Sequence, residues 1–171
     1  IYFDPYIFFS LLLINILGLF FLFSASNADI SIVSKQSVFI MVGFIMMILV
    51  SQPDPDIFRR MSGIFLIFSL LLLCITYLYG PEINGAQRWV RMGPISFQSS
   101  ELLKLAVPIF LANFLFDKKL PIQRKEIIVS LLTIFCCFFL VFRQPDLGTA
   151  LIIACSGLFV LFLSGLSWSF I

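Results

Sequence analysis

The chain has 171 residues, of which 61% are hydrophobic and only 12% charged, with a formal net charge of +2, 22 Phe and no His. A soluble domain of this size must cover itself with polar side chains, so this composition excludes a soluble globular domain, a disordered chain and a nucleic-acid-binding module. Six spans of about 20 residues would take about 120 positions and leave about 50 for loops and ends, which fits a polytopic membrane protein.

The charged residues cluster, and the gaps between clusters mark the spans. No charge occurs from Pro5 to Ala28, from Gln36 to Pro53, from Met61 to Pro81, from Ile127 to Phe142, or from Leu147 to the end. A sixth segment, Ser100 to Phe116, is apolar apart from Glu101 and Lys104. These segments do not alternate as lipid-exposed strands would, so helices are the expected way across. The reading is all-α: a transmembrane helical bundle with spans near 6–24, 37–52, 61–79, 100–116, 127–143 and 148–166, forming one membrane portion over 1–171. The first span lacks a basic leader and is too long for a signal peptide. The chain begins with Ile rather than Met, which suits a trimmed start or a piece of a longer protein.

Orientation is read from Lys and Arg in the short connections. Arg59, Arg60, Lys118, Lys119, Arg124 and Lys125 fall on one side, against Lys35, Arg88, Arg91 and Arg143 on the other. Six against four places the N-terminus in the cytoplasm. The Lys118–Lys125 group is a topology determinant or, alternatively, a contact for anionic lipid. Cys74, Cys136, Cys137 and Cys155 all lie inside spans, with no C-x-x-C pair and no His as co-ligand. They read as small packing residues, not a metal site or a disulfide framework. Without His, the Ser-His-Asp and Cys-His nucleophile systems are also absent.

Polar residues concentrate in three places at the outer ends of spans. The first is Asn84-Gly85-Ala86-Gln87-Arg88-Trp89-Val90-Arg91, opening the connection from Pro81 to Ser99, with Gly85 and Gly93-Pro94 as turns. Arg88 is either an interface anchor or a planar fork for phosphate or carboxylate. The second is Phe97-Gln98-Ser99-Ser100-Glu101-Leu102-Leu103-Lys104. Ser99 or Ser100 can cap the fourth span, and Glu101 and Lys104 share a face three residues apart. Pro108 removes the helix hydrogen bond to the carbonyl of Lys104 and should kink the span there. A pair one turn inside a span is costly, so it locks helices together or meets a charged lipid head group. The third is Arg143-Gln144-Pro145-Asp146-Leu147-Gly148-Thr149, where Asp146 suits the N-cap of the sixth span. The three places could converge into one polar chamber. Gln52-Pro53-Asp54-Pro55-Asp56 reads only as a turn.

At these residues the sequence resembles the SEDS family of cell-wall polymerases. The resemblance runs through Ser24-Ala25-Ser26, the block from Asn84 to Trp89, Gly93 and Phe97 to Ala106, Gln144-Pro145-Asp146-Leu147-Gly148-Thr149-Ala150, Gly157-Leu158-Phe159-Val160 and Gly165-Leu166-Ser167-Trp168. Gly85-Ala86-Gln87-Arg88-Trp89 and Gly165-Leu166-Ser167-Trp168 look like the RodA branch. One departure is Gln98-Ser99-Ser100-Glu101, where the family usually has Q-P-S-E. Pro favours a first helical position, so the change leaves the start of the fourth span open.

The resemblance implies a peptidoglycan glycosyltransferase of cell elongation and shape determination. Such an enzyme joins the disaccharides of lipid II, an undecaprenyl-pyrophosphate-linked precursor, outside the cytoplasmic membrane. That reaction needs a carboxylate base and cationic groups, or a divalent metal, to offset pyrophosphate charge. Arg88 and Lys104 suit the cationic role by type, with Glu101, Gln144 and Asp146 completing the polar cluster. The family's essential acid lies in an external loop of the second half of an approximately ten-span protein. No catalytic residue, metal ligand or cofactor is therefore expected in this chain, and a divalent cation remains a candidate for the whole enzyme. The implied setting is the bacterial cytoplasmic (inner) membrane, with a class B, single-span penicillin-binding transpeptidase as partner and no nucleic acid. A lipid II flippase and a membrane scaffold for that transpeptidase are the alternatives.

Overall fold

The computed structural model describes residues 4–82, 87–92, 95–118, 120 and 122–165. In chain order these form α1 (Pro5–Ala25), α2 (Ile30–Ser51), α3 (Pro55–Tyr79), β1 (Trp89–Met92), β2 (Ile95–Gln98), α4 (Ser100–Phe116), α5 (Arg124–Phe142) and α6 (Leu147–Leu163). The expected helical membrane architecture is what the chain adopts. By length and composition α1, α2, α3 and α5 can each cross a membrane, and α6 is a shorter apolar helix of 17 residues.

The chain divides into two compact units, Ile1–Asp54 and Pro55–Ile171. The first is the α1–α2 pair. The Asp4 carboxylate accepts the N–H of Tyr6 at 2.8 Å, and Pro5 occupies the start of α1, where no N–H is missed. Asn27 and Ala28 turn the chain with φ of 53° and 62°, and Asp29 caps α2 through the Ser31 N–H at 2.8 Å. Phe8 meets Phe44 edge-on, with ring centroids 5.3 Å apart. No described residue of either helix is buried. The cap at Asp29 also explains why α2 starts seven residues before the charge gap suggested. Lys35 is exposed within the helix and does not end it.

The second unit is built around α4, which packs against α3, α5 and α6, while α5 packs against α6. The buried face of α3 is Ser62, Leu66, Ser69, Leu73 and Thr76, in alternating steps of four and three. Leucines alternate there with small hydroxyl residues. Ser69 and Thr76 donate to the carbonyls of Phe65 and Leu72, each at 2.7 Å, so burying them strands no donor. Leu66 and Leu73 join Leu103, Val107, Leu111, Ile134, Val141 and Ile153 in one core. Gly157 lets α6 close on its neighbours: a Cβ there would stand 2.6 Å from Ile134 Cγ1 and 3.3 Å from Leu111 Cδ1. Helix α4 runs unbroken through Pro108. Of the four thiols, all free, only Cys137 packs in the core, while Cys74, Cys136 and Cys155 are exposed.

The connection after α3 is not the plain loop that its turn residues suggested. Trp89, Val90, Arg91 and Met92 pair antiparallel with Gln98, Phe97, Ser96 and Ile95. Aromatic and branched residues on both sides of the Gly93-Pro94 step favour that pairing. The turn residues themselves, like Asn84, Gly85 and Ala86 upstream, lie outside the described residues, as do Lys119 and the Leu166-Ser167-Trp168 block.

Candidate functional site

The hairpin delivers two polar side chains to the junction of α5 and α6. Arg88 donates from Nε to the Gln144 carbonyl at 2.7 Å and from Nη2 to the Pro145 carbonyl at 2.8 Å. A helix C-terminus leaves carbonyls without amide partners, and the fork of Arg88 supplies donors just past the end of α5. Gln98, the last residue of β2, donates from Nε2 to Asp146 Oδ2 at 2.7 Å. The other oxygen of Asp146 accepts the Thr149 N–H at 3.1 Å, which caps α6. Gln144 is 2% exposed, and its Nε2 points at the Leu73 carbonyl of α3, 3.5 Å away.

Three of the expected residues, Arg88, Gln144 and Asp146, therefore meet in one corner, locked by the hairpin. Glu101 and Lys104 sit in the first turns of α4 and pair with each other at 2.8 Å, their side chains 46% and 25% exposed. Among the described residues no hydrogen bond joins that pair to the Arg88 corner. Gln98 had no assigned role in the sequence, although it lies in the segment that the family resemblance covers. Its spacing before the helix is the signal that could have placed it.

The expected cap of α4 is different. Ser99 occupies the cap position with φ of −62° and ψ of −32°, and makes no side-chain bond to the helix. A capping hydroxyl needs extended backbone to reach forward, and Ser99 is already helical. The hydroxyls of Ser99 and Ser100 are buried and, among the described residues, without a hydrogen-bond partner.

The corner holds one guanidinium, Arg88, and one carboxylate, Asp146. Among the described residues, the ion pairs include Asp56–Arg59, Glu101–Lys104 and Lys125–Glu126, and Arg88 is paired with no carboxylate. Backbone carbonyls hold its guanidinium in place without cancelling its charge. Both oxygens of Asp146 are occupied, which suits a positioning acid more than a free base. Among the described residues no group of three or more His, Cys, Asp or Glu could hold a metal ion. This arrangement can fix and neutralise an anion at the end of a helical bundle.

The family model described as "Cell cycle protein", FTSW_RODA_SPOVE, matches residues 5–171. The chain belongs to the FtsW, RodA and SpoVE family. It is similar to peptidoglycan glycosyltransferase MrdB of Escherichia coli K12, 36% identical over 171 residues, which is 100% of this chain and 46% of that protein. It is also similar to peptidoglycan glycosyltransferase RodA of Treponema pallidum, 30% identical over 154 residues, 86% of this chain and 35% of that protein. The crystal structure of RodA from Thermus thermophilus superposes with a TM-score of 0.88 at 31% identity, over 97% of this chain and 55% of that one. A chain from "Structural coordination of polymerization and crosslinking by a peptidoglycan synthase complex" superposes with a TM-score of 0.89 at 30% identity, over 99% of this chain and 50% of that one. The chain thus spans about half the length of the curated relative it matches over its whole length. Its several apolar helices and its family make it a multi-pass membrane protein.

Proposed function

We propose that the whole protein containing these residues is a peptidoglycan glycosyltransferase that polymerises lipid II during cell elongation. The observation that carries this reading is the match of all 171 residues to a relative named for that activity. The site geometry is compatible with it. When an acceptor hydroxyl attacks the sugar carbon, the bond to the lipid pyrophosphate breaks and negative charge builds on the leaving group. Arg88, fixed by two carbonyls and, among the described residues, paired with no carboxylate, and Lys104, held by Glu101, would offset that charge. Gln98, Gln144 and Asp146 act as positioning residues for Arg88 and the α5–α6 junction. The base that takes the acceptor proton belongs to a part of the enzyme outside this chain.

The carboxylates are not gathered for a divalent cation, because Asp146 is bonded by Gln98 and Thr149, while Glu101, outside that corner, is paired with Lys104. A cation used by the whole enzyme would need ligands from elsewhere. The basic connections support an N-terminus in the cytoplasm, in a bacterial inner membrane. A class B penicillin-binding transpeptidase is the partner we propose, supported by the likeness to a chain from a peptidoglycan synthase complex.

The test is polymerisation of lipid II by the full-length protein. Lys104→Ala should reduce glycan synthesis about 100-fold or more while leaving membrane insertion intact. Wild-type activity in that variant would remove Lys104 from the site. A wild-type protein that moves labelled lipid II across liposomes yet makes no glycan ladder would instead identify a flippase.

A further inference from the structure

A second feature adjoins the corner at Gln144, and its other lining residues have no role in the reaction above. Helices α3 and α5 each pack on α4 and leave between them a cleft of about 280 Å³. Leu73 and Tyr77 form one wall and Phe139 and Leu140 the other, with Arg143 and Gln144 at the end. From Leu73 to Tyr77, and from Phe139 to Arg143, is one helical turn, so each wall is about 6 Å long. The cleft is open to the outside of the bundle, since Tyr77, Phe139 and Leu140 are all exposed. It is apolar along its length and cationic at one end.

Charge decides what it suits. Arg143 is exposed and, among the described residues, pairs with no carboxylate. Arg88 stands next to it on the Gln144 carbonyl. The acid of this corner, Asp146, is already engaged by Gln98 and Thr149. The cation at the end of the apolar slot is thus Arg143, which carries no carboxylate partner among the described residues. Placing Arg143 at the C-terminus of α5 would satisfy the helix dipole, but that alone does not require an open cleft beneath it. Basic pockets between membrane helices bind anionic lipid head groups on the cytoplasmic side, and a guanidinium on the outer side can hold a lipid phosphate by the same pairing. A cleft one turn long holds only the upper carbons of any chain, so selection must come from the head group. The abundant anionic lipid of the bilayer then fills it by mass action.

We propose that the α3–α5 cleft is a binding site for an anionic glycerophospholipid, with its phosphodiester on Arg143 and the start of one acyl chain between Leu73 and Phe139. Its apolar walls and Arg143 take no part in the site proposed for the lipid-linked sugar, although Gln144 borders both. The test is native mass spectrometry of the full-length protein from nanodiscs holding equal amounts of phosphatidylglycerol and phosphatidylcholine. The expected result is one preferentially retained phosphatidylglycerol. Arg143→Gln should lower that preference about fivefold, the worth of one cation near a membrane surface. Cys74→Trp, which fills the cleft from α3, should abolish retention of both lipids. If Cys74→Trp does not fold, Leu140→Trp fills it from the other wall. Equal retention of the two lipids, or an unchanged preference in Arg143→Gln, overturns the proposal. So does complete displacement of phosphatidylglycerol by an equimolar polyprenyl diphosphate, which would assign the cleft to the carrier.

Discussion

The α1–α2 pair and the α3–α6 bundle use the same apolar alphabet and arrive at opposite interiors. In the first, no described residue is buried. In the second, Ser62, Ser69, Thr76, Ser99, Ser100, Ser130, Gln144 and Thr149 are buried beside the leucines. Lipid is as apolar as a leucine side chain, so hydrophobicity cannot tell a membrane helix which face to turn inward. In the bundle, small residues and hydroxyls help mark that face. The pair shows helices whose few polar groups stay unburied, and the bundle shows where polar groups have been gathered inside.

The strongest way to break this contrast is to exchange a polar residue in each region. Arg88→Ala should lower lipid II polymerisation by the full-length protein about 100-fold, the usual cost of removing a positioned donor. Asn15→Leu in α1 removes a side chain whose amide bonds only the Leu11 carbonyl of its own turn, and should change the rate less than twofold. Equal losses from both would end the distinction.

Glycines sharpen it at the level of packing. Gly157→Leu should cost the bundle about 1–3 kcal/mol in detergent unfolding, because Ile134 already occupies the space of the new side chain. Ile134→Ala should recover part of that loss. At Gly43 an added Cβ meets nothing within 4 Å, so Gly43→Ala should not destabilise the α1–α2 pair and should gain at most about 1 kcal/mol of helix propensity.

A smaller effect of opposite sign is expected at Ser99. Its buried hydroxyl has no partner among the described residues, so Ser99→Ala should stabilise the bundle by about 1 kcal/mol. A destabilised variant would reveal a bond that the whole protein supplies. The smallest effect concerns Asp29. The Ser31 hydroxyl and N–H hold its carboxyl below the ordinary value of 3.8. A lowered value means the cap is fully present above the usual carboxylate range and is lost as pH falls through the folded-state value. Hydrogen exchange at the first turn of α2 should therefore speed up only in strong acid, and Asp29→Asn should remove that dependence.

Much of the fold was legible because charge is so rare here. Gaps in Asp, Glu, Lys and Arg locate five of the six helices and the apolar run from Ser100 to Phe116 the other, and the Glu101–Lys104 and Asp146–Thr149 spacings anticipate a pair and a cap that the structure contains. What stayed hidden depends on contacts across long stretches of chain. The short strands from Trp89 to Gln98 carry no span-length signal, and the bond from Gln98 to Asp146 crosses 48 residues. The early start of α2 was missed because Lys35 reads as an end when charge is the only ruler. The failed cap at Ser99 depends on its backbone angles, which residue type does not set.

The Arg88 latch also imposes a timetable. Its two acceptors lie 56 and 57 residues further along the chain. While the polypeptide emerges, α3, the hairpin and α4 must exist for some time with this guanidinium still in water or among lipid phosphates. Only when α5 has crossed and the chain has turned at Pro145 do the receiving carbonyls appear. Closing the latch is thus a late event that reports delivery of the fifth helix, and a ribosome stalled before residue 143 should leave the hairpin undocked.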